Sequence, residues 1–139
     1  AAILEIATEL ERIGDYAKGI ARINLLLGEQ ALVGAIFDLP AMASTAREML
    51  HDALDAFVRR DAELARAIPS RDDQVDALYD HFYRDLLEKV VAKPGMTDQA
   101  SYLLWVAHNL ERSADRVTNI CERVVFTVTG DMQELDLGS

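Results

Sequence analysis

Cysteine is nearly absent from this chain, and its scarcity limits the chemistry that the protein can carry. Cys121 is the only cysteine among 139 residues, so no disulfide can form within the chain and no cysteine-based zinc or iron–sulfur site is possible. A single thiol fits a reducing compartment. Because Cys121 falls on an apolar helical stripe, we expect it to be a small buried hydrophobic side chain.

Long apolar runs are also missing. The richest run, YLLWVA at residues 102–107, is far shorter than the roughly 20 residues that span a bilayer. The first residues do not resemble a signal peptide, because Glu5, Glu9 and Glu11 stand where an apolar core would be. We therefore expect no direct membrane insertion.

A surplus of basic residues is the third absence. Lysine and arginine number 14 against 24 aspartates and glutamates, which gives a formal net charge of −10. Nucleic acids and anionic membrane surfaces are bound through basic surfaces, so both classes of partner are disfavoured. The same charge balance permits the binding of cations.

Apolar residues recur with the helical period along the chain, and glycine and proline lie where that pattern stops. The pattern predicts one helix over residues 1–28, a linker over 29–40, three helices within 41–130 and an acidic tail over 131–139. No segment has a competing strand pattern. The sequence therefore predicts an all-α protein.

The breaks between the last three helices are short. The second helix is predicted from Ala41 to Ile68, with Pro69 ending it and Ser70 as the N-cap of the third. KPGMTD at 93–98 separates the third helix from the fourth, which Thr97 can cap and Gly130 is expected to end. Long helices joined by short turns favour an antiparallel three-helix bundle.

One helical segment occurs twice. ELERIGDYAKGIA at residues 9–21 aligns without a gap with NLERSADRVTNIC at 109–121. Packing explains the repeated leucine, isoleucine and alanine positions, but it does not explain why Glu11, Arg12 and Asp15 return at the same spacing. The repeat predicts two tandem three-helix bundles, the first of which is represented here by its last helix.

The repeated acids form pairs on one helical face. Residues four apart are neighbours on a helix, and the two repeated pairs are Glu11 with Asp15 and Glu111 with Asp115. Several carboxylates in one patch suit hard or borderline cations such as magnesium, manganese, calcium or iron, and they accept zinc. The same spacing also occurs on ordinary solvated faces, so spacing alone leaves both interpretations open.

The third helix carries a matching acidic row. Asp72, Asp76 and Asp80 stack on one face of it. If the third and fourth helices are antiparallel neighbours, Asp72 and Asp76 lie opposite Glu111 and Asp115. The three histidines are expected on the solvated surface, with His81 near enough to reach the edge of the patch.

These segments resemble the signature helices of the PhoU family, phosphate-signalling regulators of bacteria and archaea. LERIGDYAKGIA and LERSADRVTNICERVVFTVTG resemble its two repeated helices. DDQVDALYDHFYRDLL followed by SYLLWVAHNLERSADRVTNI is similar to its C-terminal repeat. The resemblance covers nearly all of residues 1–130, and it leads us to expect an N-terminally truncated chain.

The resemblance implies a cytoplasmic dimer of tandem bundles that holds multinuclear iron or zinc clusters through E(D)xxxD motifs, with magnesium or manganese as further candidate cations. Carried over residue by residue and extended along the acidic row, the implied metal ligands are Glu11, Asp15, Asp72, Asp76, Asp80, Glu111 and Asp115. The first copy lacks its partner helices, so we expect its site to be incomplete.

The function implied is regulation without catalysis. Such proteins couple a phosphate ABC transporter ATPase to a sensor histidine kinase and repress the phosphate-starvation response when phosphate is plentiful. Two alternatives remain. A di-metal carboxylate enzyme would need inward-facing Glu-x-x-His ligands, which neither signature helix has. A plain helical scaffold would use its acids for solubility alone.

The first helix also raises the question of what covers its apolar stripe. That stripe contains Ile3, Ile6, Leu10, Ile13, Ala17 and Ile20. The helix can fold back on the C-terminal bundle or pair with the same helix of a second chain. We favour pairing with a second chain, because three helices already close the C-terminal core.

Overall fold

The computed structural model describes the backbone of residues 2–27 and 38–138, and the side chains of these residues up to Gly130. Every element in these ranges is helical, which confirms the predicted all-α class. The α-helices are α1 (Ala2–Leu27), α2 (Asp38–Arg59), α3 (Ala62–Ala67), α4 (Asp72–Ala92) and α5 (Thr97–Gly138), with 3-10 turns at Ile68–Arg71 and Pro94–Met96. No helix in the described ranges is long and apolar enough to cross a membrane.

Helices α2, α4 and α5 form the predicted three-helix bundle. Asp38 at the start of α2 pairs with His81, and Asp52 further along α2 pairs with Arg71 beside the start of α4, so α2 and α4 run antiparallel. Helices α4 and α5 are also antiparallel neighbours. The fully buried side chains of the bundle include Met42, Met49, Ile68, Val75, Phe82, Val117, Ile120 and Val124.

The bundle core follows the apolar stripes that the sequence predicts. Phe82 and Val75 of α4 are completely buried, and Val117 and Val124 of α5 lie in the same cluster. Cys121 is a buried free thiol within that cluster, as expected from its place on the stripe. A carboxylate that flanks such a stripe is therefore held at the edge of the core.

Helix α1 packs along α5 of its own chain. Glu5 of α1 pairs with Arg123, and Gly19 near the other end lies against Trp105, so the two helices are antiparallel. In the described ranges α1 contacts α5 and no other helix. The prediction that a second chain covers this stripe was wrong for its inner part, because Ile6, Leu10 and Ile13 pack against the core of the same chain.

The predicted second helix, Ala41 to Ile68, is broken into two. Arg60 adopts a left-handed backbone conformation with φ of 57°, and the amide of Asp61 donates to the carbonyl of Ala56 at 2.8 Å, which closes α2 in a Schellman turn. The Asp61 side chain then accepts from the amide of Leu64 and begins α3. The break was missed because it contains neither glycine nor proline.

Three predicted helix ends also differ from the structure. Helix α2 begins at Asp38 and includes Pro40 in its first turn, where proline is tolerated. Helix α4 begins at Asp72, and Ser70 does not cap it but donates to the carbonyl of Ala67. Helix α5 does not stop at Gly130, since its backbone remains helical to Gly138. The predicted linker before residue 38 lies outside the described residues.

Candidate functional site

The antiparallel packing of α4 on α5 brings four predicted carboxylates together. Asp72 and Asp115 share a hydrogen bond, and Glu111 and Asp76 share another one turn away. Each hydrogen bond therefore joins one acid of α4 to one acid of α5. We call Asp72, Asp76, Glu111 and Asp115 the carboxylate cluster.

Burial and like charge change the acidity of the cluster. Desolvation by partial burial, followed by the charges of Asp76 and Asp115, raises the pKa of Asp72 to about 6. Desolvation, followed by the hydrogen bond to Asp76 and its charge, raises the pKa of Glu111 to about 7. Adjacent carboxylates cannot all ionise without strong repulsion. The cluster therefore retains protons at pH values where isolated carboxyls are ionised.

The protonated members act as hydrogen-bond donors. Protonated Asp72 donates to Asp115, and protonated Glu111 donates to Asp76. One oxygen of Asp72, Oδ1, is buried and has no hydrogen-bond partner in the described part of the chain. An unpartnered buried oxygen is costly, so the cluster has an unused acceptor at its inner edge.

Four carboxylates are suitable ligands for a cation that prefers oxygen. Their side chains are, however, paired with one another through shared protons. Within the described residues, no three histidine, cysteine, aspartate or glutamate side chains converge on a common point where a metal ion could bind them. A cation that replaced the shared protons would require carboxylates of the cluster to rotate.

Tyr79 and His108 lie beside the cluster and were not predicted as site residues. The Tyr79 hydroxyl and His108 Nδ1 are 3.4 Å apart. Burial raises the pKa of Tyr79, and the nearby Glu111 carboxylate raises it further. Their spacing could have indicated them, because Tyr79 follows Asp76 by three residues and His108 precedes Glu111 by three.

The other predicted ligands are not joined to the cluster. Asp80 is exposed on α4 one turn beyond Asp76, and its charge acts on Tyr79. Glu11 and Asp15 are exposed on α1, which contacts α5 but not α4. The structure therefore brings four of the seven predicted ligands together and leaves three apart.

Two basic side chains near the cluster, Arg116 and His81, pair with acids outside it. Arg116 follows Asp115 in sequence, but its guanidinium lies 3.5 Å from Glu9 on α1. His81 does not reach the cluster, because its Nδ1 lies 2.6 Å from Asp38 on α2. The Asp38 carboxylate raises the pKa of His81. Neither Arg116 nor His81 therefore neutralises the cluster.

A family model for the PhoU domain matches residues 39–124, which is more than half of the chain. The chain belongs to the PhoU family. The matched range contains all four members of the carboxylate cluster.

Curated relatives agree with this assignment. The phosphate-specific transport system accessory protein PhoU homolog of Clostridium acetobutylicum is 33% identical over 133 residues, which is 96% of this chain and 61% of that protein. The homolog of Caulobacter vibrioides is 37% identical over 131 residues, covering 94% of this chain and 57% of that protein.

Solved structures share the fold. PhoU from Pseudomonas aeruginosa superimposes with a TM-score of 0.87 at 32% identity, covering 93% of this chain and 62% of that chain. The phosphate transport system regulatory protein PhoU from Streptococcus pneumoniae superimposes with a TM-score of 0.78 at 34% identity. The match covers 93% of this chain and 61% of that chain. The chain therefore spans a little over half the length of its PhoU relatives.

Proposed function

We propose that this protein is a non-enzymatic regulator of phosphate uptake and of phosphate-starvation signalling. It acts by docking between a phosphate ABC transporter ATPase and a sensor histidine kinase in the cytoplasm, and it represses the starvation response when phosphate is plentiful. Its assembled form is a homodimer. The proposal extends the accessory role for which its PhoU relatives are named.

The observation that carries the proposal is the carboxylate cluster on the PhoU repeat. Glu111 and Asp115 belong to the segment that the chain repeats at an offset of 100, and they meet two further acids on the neighbouring helix. Packing alone does not require four carboxylates at the edge of a core. The repetition of the Glu111 and Asp115 pair, together with its meeting with Asp72 and Asp76, supports a positively charged ligand.

We propose that the ligand is iron or zinc bound as a multinuclear cluster, with manganese or magnesium as the other cations that carboxylates suit. Asp72 and Asp76 would hold it from α4, and Glu111 and Asp115 from α5. A bound cation would supply positive charge and link the two helices. The unpartnered Asp72 Oδ1 supports this assignment because it is an acceptor in need of a partner. If further ions bind, they would be held by Asp80 on α4, or by Glu11 and Asp15 on α1.

Metal analysis tests this part of the proposal. Wild-type protein is purified without chelator, reconstituted with each metal in turn and desalted before elemental analysis. We expect Glu111→Ala with Asp115→Ala to remove the bound metal while leaving the helical circular dichroism unchanged. The matched control is Glu63→Ala with Glu88→Ala, which removes two exposed acids outside the cluster and should leave metal binding intact.

The outcome separates the competing functions. If wild-type protein takes up no iron, zinc, manganese or magnesium, the metal proposal is wrong and a plain helical scaffold is favoured. If metal binds and supports a turnover that is lost with the double cluster substitution, the di-metal enzyme is favoured over the regulator.

Docking is tested with purified partners. We expect the protein to bind a phosphate-transporter ATPase or its sensor kinase in surface plasmon resonance and to hydrolyse neither phosphate esters nor nucleotides on its own. Binding to neither partner under conditions where a full-length PhoU relative binds would contradict the docking role of this chain.

A further inference from the structure

The surface that α4 and α5 form together carries a ladder of facing side chains. The two acid pairs of the carboxylate cluster, each joined across the helices, are its first two rungs. Tyr79 and His108, 3.4 Å apart, are the next rung. The two residue numbers of every rung have the same sum, because two regular antiparallel helices that stay in register pair their residues in this way. The ladder therefore follows one seam between the helices.

The same seam continues as an apolar groove toward the turn between α4 and α5. This part has a volume of about 180 Å³ and is lined by Tyr83, Leu86, Leu87, Val90, Thr97, Ala100, Ser101 and Leu104. Tyr79 stacks on Tyr83 with ring centroids 6.4 Å apart, so aromatic rings connect the acidic rungs to the apolar part. Tyr83 is 41% exposed and Leu87 is 48% exposed, which leaves the groove open to a ligand. We call the whole seam, from the carboxylate cluster to Val90, the α4–α5 groove.

Negative charge is concentrated at one end of the α4–α5 groove. Arg116 and His81 pair with acids of α1 and α2 instead of with the carboxylate cluster. Burial and the other acids of the cluster raise the pKa of Asp72 and of Glu111, as expected where negative charge is in excess. The exposed Asp80 lies one turn further along α4. A ligand that is complementary to the whole groove is therefore basic at one end and apolar at the other.

The dimensions and the walls of the groove favour a helix as its ligand. Asp76 and Leu87 are separated by about 16 Å along the axis of α4, which is three helical turns. The walls are two helices whose backbone groups are bonded within each helix, so they offer no partners to the backbone of an extended peptide. A bound helix satisfies its own backbone and presents side chains along one face. The apolar part of the groove is large enough for side chains, since an apolar cavity of about 150 Å³ takes a benzene-sized group.

We propose that the α4–α5 groove binds an amphipathic helix of a partner protein, with arginine or lysine at one end of the helix and large aliphatic side chains at the other. The basic side chain pairs with the carboxylate cluster, and the aliphatic side chains fill the space between Tyr83, Leu87 and Ser101. The inference rests on the docking role in the proposed function and gives that role a surface. A metal ion and the basic side chain use the same carboxylates, so bound metal weakens the binding of the helix.

A synthetic peptide serves as the probe for this groove. It is an alanine-based helix with arginines near one end and leucines on the same face about three turns, or 16 Å, further along. Its binding to the full chain is measured by fluorescence anisotropy in buffer with chelator. We expect saturable binding of this peptide. Two control peptides, with glutamate in place of the arginines or serine in place of the leucines, should bind at least about tenfold more weakly.

Substitutions in the protein test the apolar end. Leu87→Ser removes part of one wall, and Ser101→Trp fills the space from the other wall. Each should raise the dissociation constant of the peptide about tenfold. Both positions are exposed, so the helical circular dichroism should not change. The matched control is Val91→Ser, which removes an exposed apolar side chain of α4 outside the lining and should leave binding unchanged.

The acidic end is tested in the same assay. Asp76→Asn with Glu111→Gln removes negative charge from two facing acids, and it should weaken binding of the peptide about tenfold and reduce the dependence of binding on salt. Glu63→Gln with Glu88→Gln removes two exposed acids outside the groove and should bind like the wild type. Failure of the peptide to bind wild-type protein at its highest soluble concentration overturns the proposal.

Loss of binding at one end only also overturns it. If only the acid substitutions matter, the peptide is attracted to an acidic protein without using the groove. If only Leu87→Ser and Ser101→Trp matter, the groove takes a small apolar ligand instead of a helix that reaches the carboxylate cluster.

Zinc separates this inference from the metal and docking roles in the proposed function. If the protein retains zinc in elemental analysis, loading it with zinc should raise the dissociation constant of the peptide about tenfold. Unchanged peptide binding by zinc-loaded protein would contradict the contact between the basic end and the carboxylate cluster. Peptide binding in chelator by a protein that takes up no metal supports the groove and refutes the metal site. Metal uptake, or binding of the ATPase or kinase, by a protein that does not bind the peptide refutes the groove alone.

Discussion

Single residues in the carboxylate cluster combine two physical effects that act in the same direction. Partial burial disfavours ionisation of Asp72 and Glu111, and the neighbouring carboxylates disfavour it further. These carboxyls therefore hold protons in the folded protein that they would release in the unfolded chain. The consequence is a stability that depends on pH and on any cation that replaces those protons.

The first residue-scale prediction concerns pH. The pKa values of Asp72 and Glu111 are about 6 and about 7 in the folded protein, above their values in an unfolded chain. The folded state thus binds more protons between about pH 4 and pH 7. The free energy of unfolding of metal-free protein should therefore fall as pH rises through this range. We expect the cluster to account for about 1 kcal/mol of that fall, because water screens these partly exposed groups.

Chemical denaturation of the wild type and of Asp72→Asn with Glu111→Gln checks this prediction. The double variant cannot lose these protons, so its free energy of unfolding should change less between pH 4 and pH 7. Glu63→Gln with Glu88→Gln controls for a general loss of negative charge. A wild type whose pH dependence equals that of the cluster variant would show that the cluster is not under electrostatic strain.

The second residue-scale prediction concerns His81 and Asp38. Their side chains are 2.6 Å apart, and the hydrogen bond and charge of Asp38 raise the pKa of His81. The pair therefore favours the folded state below the ordinary histidine pKa, and this contribution is lost as pH rises through the raised value. In an NMR titration, Asp38→Asn should lower the pKa of His81, whereas Glu63→Gln should not. An unchanged titration in Asp38→Asn would contradict the pairing.

At the scale of elements, the contact between α1 and α5 depends on a small residue. Trp105 and Asn109 of α5 lie 3.1 Å and 3.2 Å from the position that a Cβ at Gly19 would occupy. Asn109 is only 2% exposed, so it has little room to move. A side chain at position 19 would therefore press on both residues at the contact between α1 and α5.

We therefore expect Gly19→Val to reduce the free energy of unfolding more than Gly130→Val does, by about 1 to 3 kcal/mol. Both substitutions place a β-branched residue inside a helix, so the loss from helix propensity cancels in the comparison. Among the described side chains, nothing lies within 4 Å of a Cβ at Gly130, which makes it the matched control. Equal losses in denaturant unfolding would show that α1 does not depend on close approach at Gly19.

At the scale of the whole molecule, the three-helix bundle contains most of the buried apolar residues. In the described ranges α1 contributes two buried residues, Ile6 and Ile23, whereas α2 alone contributes six. The bundle of α2, α4 and α5 therefore has a core of its own, and α1 adds to its outer face.

A chain that starts at Asp38 should accordingly fold. We expect it to keep its helical circular dichroism and to unfold cooperatively, with a free energy of unfolding lower by about 3 to 6 kcal/mol, the value of burying two isoleucines. The full chain is the reference in the same denaturant series. Loss of cooperative unfolding in the shorter chain would show that α1 is required for the bundle.

The sequence by itself determined the helical elements and much of the carboxylate cluster. Helical periodicity depends on which residues lie three and four apart, so the apolar stripes of α4 and α5 follow from local spacing. Short turns force consecutive helices to be antiparallel neighbours. Once α4 and α5 are antiparallel neighbours, Asp72 and Asp76 face Glu111 and Asp115, which is why these four carboxylates could be placed together before the structure.

Only the tertiary structure decided where α1 binds and what else surrounds the cluster. The stripe of α1 could have packed on its own bundle or on a second chain, and the structure places it on α5, with Gly19 against Trp105 and Asn109; no local pattern encodes that contact. The contact between Tyr79 and His108 likewise joins two helices that only the fold brings together. Local spacing decides which residues share a face, whereas the fit between faces decides which of them meet.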